Sequence, residues 1–164
     1  MIETTEQIDK KVIIQEQYLK RVNAFFTQVK DWLTDTPLET VEIPTRTITD
    51  ATGTYRVGMM AIVIKDKPEP EDNVASIFPM GATTLLGEGI LEIAGAFGEE
   101  KLIYFCRNTL QQVEYKLGVF RPIYRGVDSD GWYWLESSMS NRALLITRER
   151  FFDLIRMVSF YEFT

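Results

Sequence analysis

The side chains that could carry chemistry are few in this chain, because it contains no histidine and a single cysteine, Cys106. Histidine is the usual proton shuttle at neutral pH and the commonest metal ligand, and thiolates and imidazoles make up most zinc sites. A Ser-His-Asp triad, a Cys-His dyad, an ordinary zinc site and an internal disulfide are therefore excluded. The composition favours binding over catalysis, and we predict neither a catalytic residue nor a metal or cofactor.

One short motif has the residue types of a metal-dependent nuclease. Glu114 and Lys116 show the acid-x-lysine spacing in which the acid binds a hard cation and the lysine steadies an attacking water. The same spacing recurs twice elsewhere in the chain, so it arises freely in this composition. A metal-assisted hydrolase or nuclease that uses Glu114 and Lys116 is an alternative function, and it requires a further carboxylate in the same cleft.

An aromatic cluster near residue 133 gives the predicted binding residues. In an extended strand Trp132 and Trp134 point to one face. Arg121 and Arg125 precede them on the other strand of an expected hairpin, close enough to stack on the rings. Such Trp–Arg sets are common at binding hot spots, although both tryptophans could instead belong to the core. A small anionic-ligand binder near Trp132 and Trp134 is a second alternative function.

The elements that must position these residues begin with a long helix. Apolar residues follow a 4-3 alternation from Ile8 to Leu33, and Thr4 with Gln7 fits a capping box, so residues 5–34 are predicted to be helical. The apolar face of this helix could form a dimeric coiled coil, but its width favours packing on a sheet. A second helix is predicted after the N-cap Thr147.

Alternating apolar residues between the helices predict strands. Three hairpins are expected, with turns near residues 50–53, 97–100 and 128–131; the third pairs 119–125 with 131–136. Residues 65–72 are a predicted loop, and residues 108–117 favour a short helix over a strand. The fold class is α+β: a long N-terminal helix, a mainly antiparallel curved sheet of about six to seven strands and a C-terminal helix, in one domain that spans residues 1–164.

The net charge and the small number of helices available to bury the sheet then indicate a function class. The net charge of −6 disfavours binding to nucleic-acid phosphates. The N-terminus lacks a signal peptide, no apolar run reaches the roughly 20 residues that cross a bilayer, and a lone cysteine fits a reducing cytoplasm. The central strands look apolar on both faces, with only two helices to cover them, so either the sheet curls on itself towards a barrel or a second subunit or partner covers one side. We therefore predict a non-catalytic protein-binding domain (chaperone-, adaptor- or immunity-like) that binds a protein partner, with a basic partner and a homodimeric state as its finer expectations.

Overall fold

The computed structural model describes residues 2–66, 73–136 and 141–163 of the chain. Helix α1 spans Thr5–Leu33, and Thr4 caps it through the predicted box with Gln7. Its buried face begins only at Tyr18, where the helix starts to pack on the sheet. The turns before Tyr18 leave Ile8, Val12 and Ile13 between 42% and 51% exposed. The predicted long helix is therefore confirmed, but only its second half lies on the core.

In the described residues the sheet that α1 covers has seven strands, and every neighbouring pair is antiparallel. The strands are β1 (Leu38–Asp50), β2 (Gly53–Ile64), β3 (Ala75–Gly81), β4 (Ile90–Gly95), β5 (Gly98–Phe105), β8 (Gly131–Leu135) and β9 (Ala143–Leu145). They lie in the order β1-β2-β3-β4-β5-β8-β9. The first two predicted hairpins, β1–β2 and β4–β5, are confirmed, and so is the α+β class.

Neighbouring strands of this sheet are also consecutive in the chain, except at β5 and β8. The chain leaves β5 through a turn of 3₁₀ helix at Arg107–Thr109. It then forms a separate two-stranded sheet from β6 (Gln112–Lys116) and β7 (Val119–Pro122), and returns to the main sheet at β8. Two expectations are therefore wrong. Within 108–117 the chain forms the end of the 3₁₀ turn and then strand β6 instead of an α-helix. Val119–Pro122 pairs with β6, whereas Gly131–Leu135 pairs with β5 and β9 instead of with residues 119–125.

Both faces of the sheet are buried where β5 and β8 lie side by side. Leu102 and Trp132 point into the main core under α1 and α2, whereas Ile103 and Tyr133 belong to a second cluster on the other face. That second cluster includes Val127, from the connection between β7 and β8. The connection therefore helps to bury the face of the sheet that α1 and α2 do not contact.

The closing helix α2 spans Arg148–Val158 and begins at the predicted N-cap, Thr147, whose hydroxyl accepts a hydrogen bond from the Arg150 amide. Neither α1 nor α2 combines the length and the apolar character that a membrane crossing needs. Of the predicted loop at 65–72, residues 65 and 66 form a turn after β2, and residues 67–72 lie outside the described part of the chain.

Candidate protein-interaction surface

The β6–β7 hairpin, called the arm below, is the least buried part of the described chain. Every residue from 111 to 122 is exposed. Leu117 at its turn is 98% exposed and Phe120 on β7 is 60% exposed. An isolated two-stranded hairpin is only marginally stable in water, and contiguous exposed apolar side chains mark interaction sites. The arm is therefore the first candidate for a functional surface.

The turn of the arm is held by its own residues. Gly118 has a φ of +75°, a left-handed conformation that glycine adopts at no steric cost. Its amide donates a 2.8 Å hydrogen bond to the Glu114 carboxylate. Glu114, the acid proposed above for metal chemistry, thus stabilises a local turn. Among the described residues there is no group of three or more cysteine and carboxylate side chains placed to hold a metal ion.

One side of the arm combines cations with apolar groups. The pairing of Val113 with Arg121 and of Lys116 with Val119 brings these side chains to one side, because directly opposed residues share a face. The Arg121 guanidinium lies 4.9 Å from the centre of the Tyr115 ring, and Lys116 Nζ lies 5.8 Å from it. We call the set Val113, Tyr115, Lys116, Val119 and Arg121 the cationic face.

A cleft of about 510 Å³ adjoins the cationic face at the base of the arm. It brings together two of the four predicted binding residues, Arg121 and Arg125. The backbone of Arg125 is fixed there, since its amide donates to the Asn141 carbonyl at 2.8 Å and its carbonyl accepts from the Ala143 amide at 2.9 Å. The remaining lining comes from Val113, Pro122, Ile123 and Asn141. The cleft therefore combines two arginine side chains with apolar and polar lining residues in about equal number.

Glu88 fastens the base of the arm to the rest of the fold. One carboxylate oxygen accepts a 2.8 Å hydrogen bond from the Thr109 hydroxyl, two residues before the exposed stretch. The other oxygen accepts from the Cys106 thiol at 2.7 Å and lies 3.5 Å from a guanidinium nitrogen of Arg21 on α1. Gln111 donates from its amide to the Leu85 carbonyl in the same loop. These contacts fix the direction in which the arm leaves the sheet.

The environment of Cys106 keeps its thiol protonated. Burial raises the pKa of Cys106 to about 12, and the hydrogen bond to the nearby Glu88 carboxylate acts in the same direction. The thiolate is the reactive form of cysteine, so this thiol has little nucleophilic character near neutral pH. Its contacts suit a structural role at the base of the arm.

The two predicted tryptophans lie away from the arm's sheet. Trp132 is 5% exposed and sits in the main core against the rings of Tyr18, Phe25 and Tyr104. It also lines a separate cleft of about 450 Å³ that includes Arg21. Trp134 is half-buried and donates from Nε1 to the Glu100 carboxylate at 3.0 Å. The expected set of two tryptophans and two arginines on one hairpin is thus not formed, and a ligand site near the tryptophans stays a prediction.

Comparison of the chain with family models, curated proteins and solved structures gave no match. The function is therefore inferred from the arm and the cleft themselves. The sequence reading missed the apolar residues of the arm, above all Leu117 and Phe120. The signal that could have found them is Gly118 between two short alternating segments, because glycine supplies the positive φ of a tight turn as readily as that of a helix end.

Proposed function

We propose that this chain is a non-catalytic protein-binding domain and that the arm is the element that contacts its protein partner. The observation that carries the proposal is the exposure of five large apolar side chains on one hairpin. They are Val113, Tyr115, Leu117, Val119 and Phe120. Val113, Tyr115 and Val119 lie on the cationic face and Phe120 pairs with Glu114 on the opposite side, so both sides of the arm present apolar groups that a bound partner would cover.

The expected contribution of these side chains to binding has the size of an interface hot spot. Full burial of a leucine or phenylalanine side chain contributes about 1.5–3 kcal/mol. Leu117 and Phe120 are 98% and 60% exposed, so covering them would contribute roughly 3–4 kcal/mol. A few residues of that strength dominate the affinity of a typical interface.

Two finer expectations belong to this proposal. A cytoplasmic location is supported by the lone cysteine, which suits a reducing compartment. A homodimer is supported by Ile8, Val12 and Ile13, which the first turns of α1 leave partly exposed. Sedimentation velocity on the wild-type chain and on an Ile8→Ser/Ile13→Ser variant tests the dimer: a dimer that the variant dissociates supports it, and a wild-type monomer contradicts it.

The test of the proposed function is a comparative capture experiment. The wild-type chain and a Leu117→Ser/Phe120→Ser variant are immobilised, and proteins retained from native lysate are quantified by mass spectrometry. A Met157→Ser/Phe160→Ser variant, which removes two exposed apolar side chains from α2 and its end, is the matched control. We expect one near-stoichiometric protein to be retained by the wild type and by the control but lost from the arm variant. Equal retention by all three chains, or no retained protein, contradicts the proposal.

A further inference from the structure

We infer that the segment the arm takes from its partner is acidic: an extended peptide whose carboxylates meet Arg121, Arg125 and Lys116 and whose apolar side chains cover the residues between them. The inference rests on the proposed function, since it assumes that the arm contacts a protein. It differs from the expectation of a basic partner, which followed from the net charge of −6.

The net charge of the segment that contains the arm is opposite in sign to that of the whole chain. Residues 107–125 contain four Arg or Lys and one Glu, which gives a local charge of +3. The single acid, Glu114, pairs across the arm with Phe120 and accepts the Gly118 amide. Lys116 and Arg121 instead share the cationic face, where each lies within 6 Å of the Tyr115 ring centre. Complementary charge steers association and selects the partner.

The apolar groups of the same surface define the rest of the ligand. Val113 and Val119 lie beside the cations on the cationic face, and Pro122 with Ile123 lies between Arg121 and Arg125 at the cleft. A free inorganic anion would leave these side chains uncovered. A peptide with acidic and apolar residues in alternation satisfies both kinds of group. The cleft volume of about 510 Å³ lies within the range of ligand pockets, roughly 300–1,000 Å³.

The β7 edge of the arm is poorly suited to main-chain pairing with a peptide. In the described residues β6 and β7 pair only with each other, so each has an unpaired edge. Pro122 has no N–H to offer along the β7 edge, and proline is a usual means of blocking strand addition. At the β7 edge, beside Arg121 and the cleft, we therefore expect the charges of the arginines, more than main-chain pairing, to decide which peptide binds.

The experiment uses a random 12-residue peptide library displayed on phage and panned against the full chain. Enriched peptides are synthesised with a fluorescein label, and their affinity is measured by fluorescence anisotropy at two salt concentrations. We expect Asp and Glu to be enriched beside Leu, Phe or Tyr. We also expect Arg121→Glu/Arg125→Glu to weaken binding at least tenfold, whereas the conservative Arg121→Lys/Arg125→Lys change restores most of it.

The matched control is Lys20→Glu/Arg56→Glu, which changes the net charge equally at exposed positions on α1 and β2. It should leave the affinity within about twofold of the wild type. Enrichment of basic or purely apolar peptides, or equal affinity of the wild type and the arginine variant, overturns the inference. If the partner captured from lysate depends on Leu117 and Phe120 but not on Arg121 and Arg125, this inference fails while the proposed function stands. If no capture depends on the arm, the proposed function itself fails.

Discussion

Replacing Leu117 and Phe120 with serine should abolish partner binding and leave the stability of the fold nearly unchanged. The two effects separate because the arm lies outside both hydrophobic clusters of the described chain. In a core residue the same loss of apolar area would appear first as a loss of stability.

The magnitude follows from the exposed fractions. Folding leaves Leu117 98% exposed, so its apolar atoms contribute almost nothing to stability. Phe120 is 60% exposed, and the buried remainder contributes about 1 kcal/mol. The double variant should therefore lose no more than about 1 kcal/mol, a fall in Tm of about 2–4 °C for a chain of this length. Leu91→Ala, at a fully buried position of β4, should cost about 2–5 kcal/mol.

The assay is urea unfolding followed by tryptophan fluorescence, run on the wild type, the arm variant and Leu91→Ala. The slopes of the transitions must agree before midpoints are compared. An arm variant that loses more than about 2 kcal/mol, approaching the cost expected for Leu91→Ala, would refute the reasoning, because the arm would then be packed against the fold.

Three further predictions concern the framework. Gly95→Ala should lower the free energy of unfolding by about 1–3 kcal/mol, because the new Cβ would lie 2.2 Å from the carbonyl oxygen of the last α2 residue. Gly58→Ala should change it little, because the nearest neighbour of that Cβ lies at 3.5 Å; equal urea midpoints of the two variants would contradict this. Cys106 should react slowly with iodoacetamide at pH 8, because its pKa is about 12, and faster in a Glu88→Ala variant; identical rates would show that Glu88 does not protect the thiol. Burial alone would raise the pKa of Asp50, but the hydrogen bonds it accepts outweigh burial and lower it. Its stabilising effect is therefore present above the unfolded carboxyl pKa and lost as the pH falls through the lower folded value, so Asp50→Asn should flatten the acid limb of the stability curve; an unaltered limb would oppose that assignment.

Local signals account for the parts of the fold that the sequence predicted correctly. The capping box of Thr4 and Gln7 fixes the start of α1, and the apolar spacing of that helix continues to Leu33. The β1–β2 turn contains Gly53, whose φ of +114° suits a tight connection. These features depend on residues close together in the chain, and they therefore need no knowledge of tertiary contacts.

The arm was misassigned because its local pattern fits two structures. Leu110, Val113 and Leu117 have the spacing of a helical face, and Gly118 can end a helix or make a hairpin turn with the same positive φ. A helix there would need a surface on which to bury that face. Among the described residues no such surface meets the arm, and residues 111–122 are all exposed.

Of the predicted binding residues, the sequence correctly grouped the two arginines but not the two tryptophans. Arg121 and Arg125 do line one cleft, as neighbours in a short segment should. The tryptophans could not be placed, because the main sheet passes from β5 directly to β8, where Trp132 pairs with Tyr104 and Trp134 with Leu102. That long-range pairing carries Trp132 into the core and leaves the arginines with the arm.

The most direct measurement of the central claim is hydrogen–deuterium exchange of the chain alone and in complex with the protein that it captures. The arm has few neighbours to protect its amides in the free chain, so residues 111–122 should exchange rapidly and become protected on binding, together with residues near Arg125. Protection confined to α1 or to the main sheet, with the arm exchanging equally fast in both states, would contradict the assignment of the arm as the contact surface.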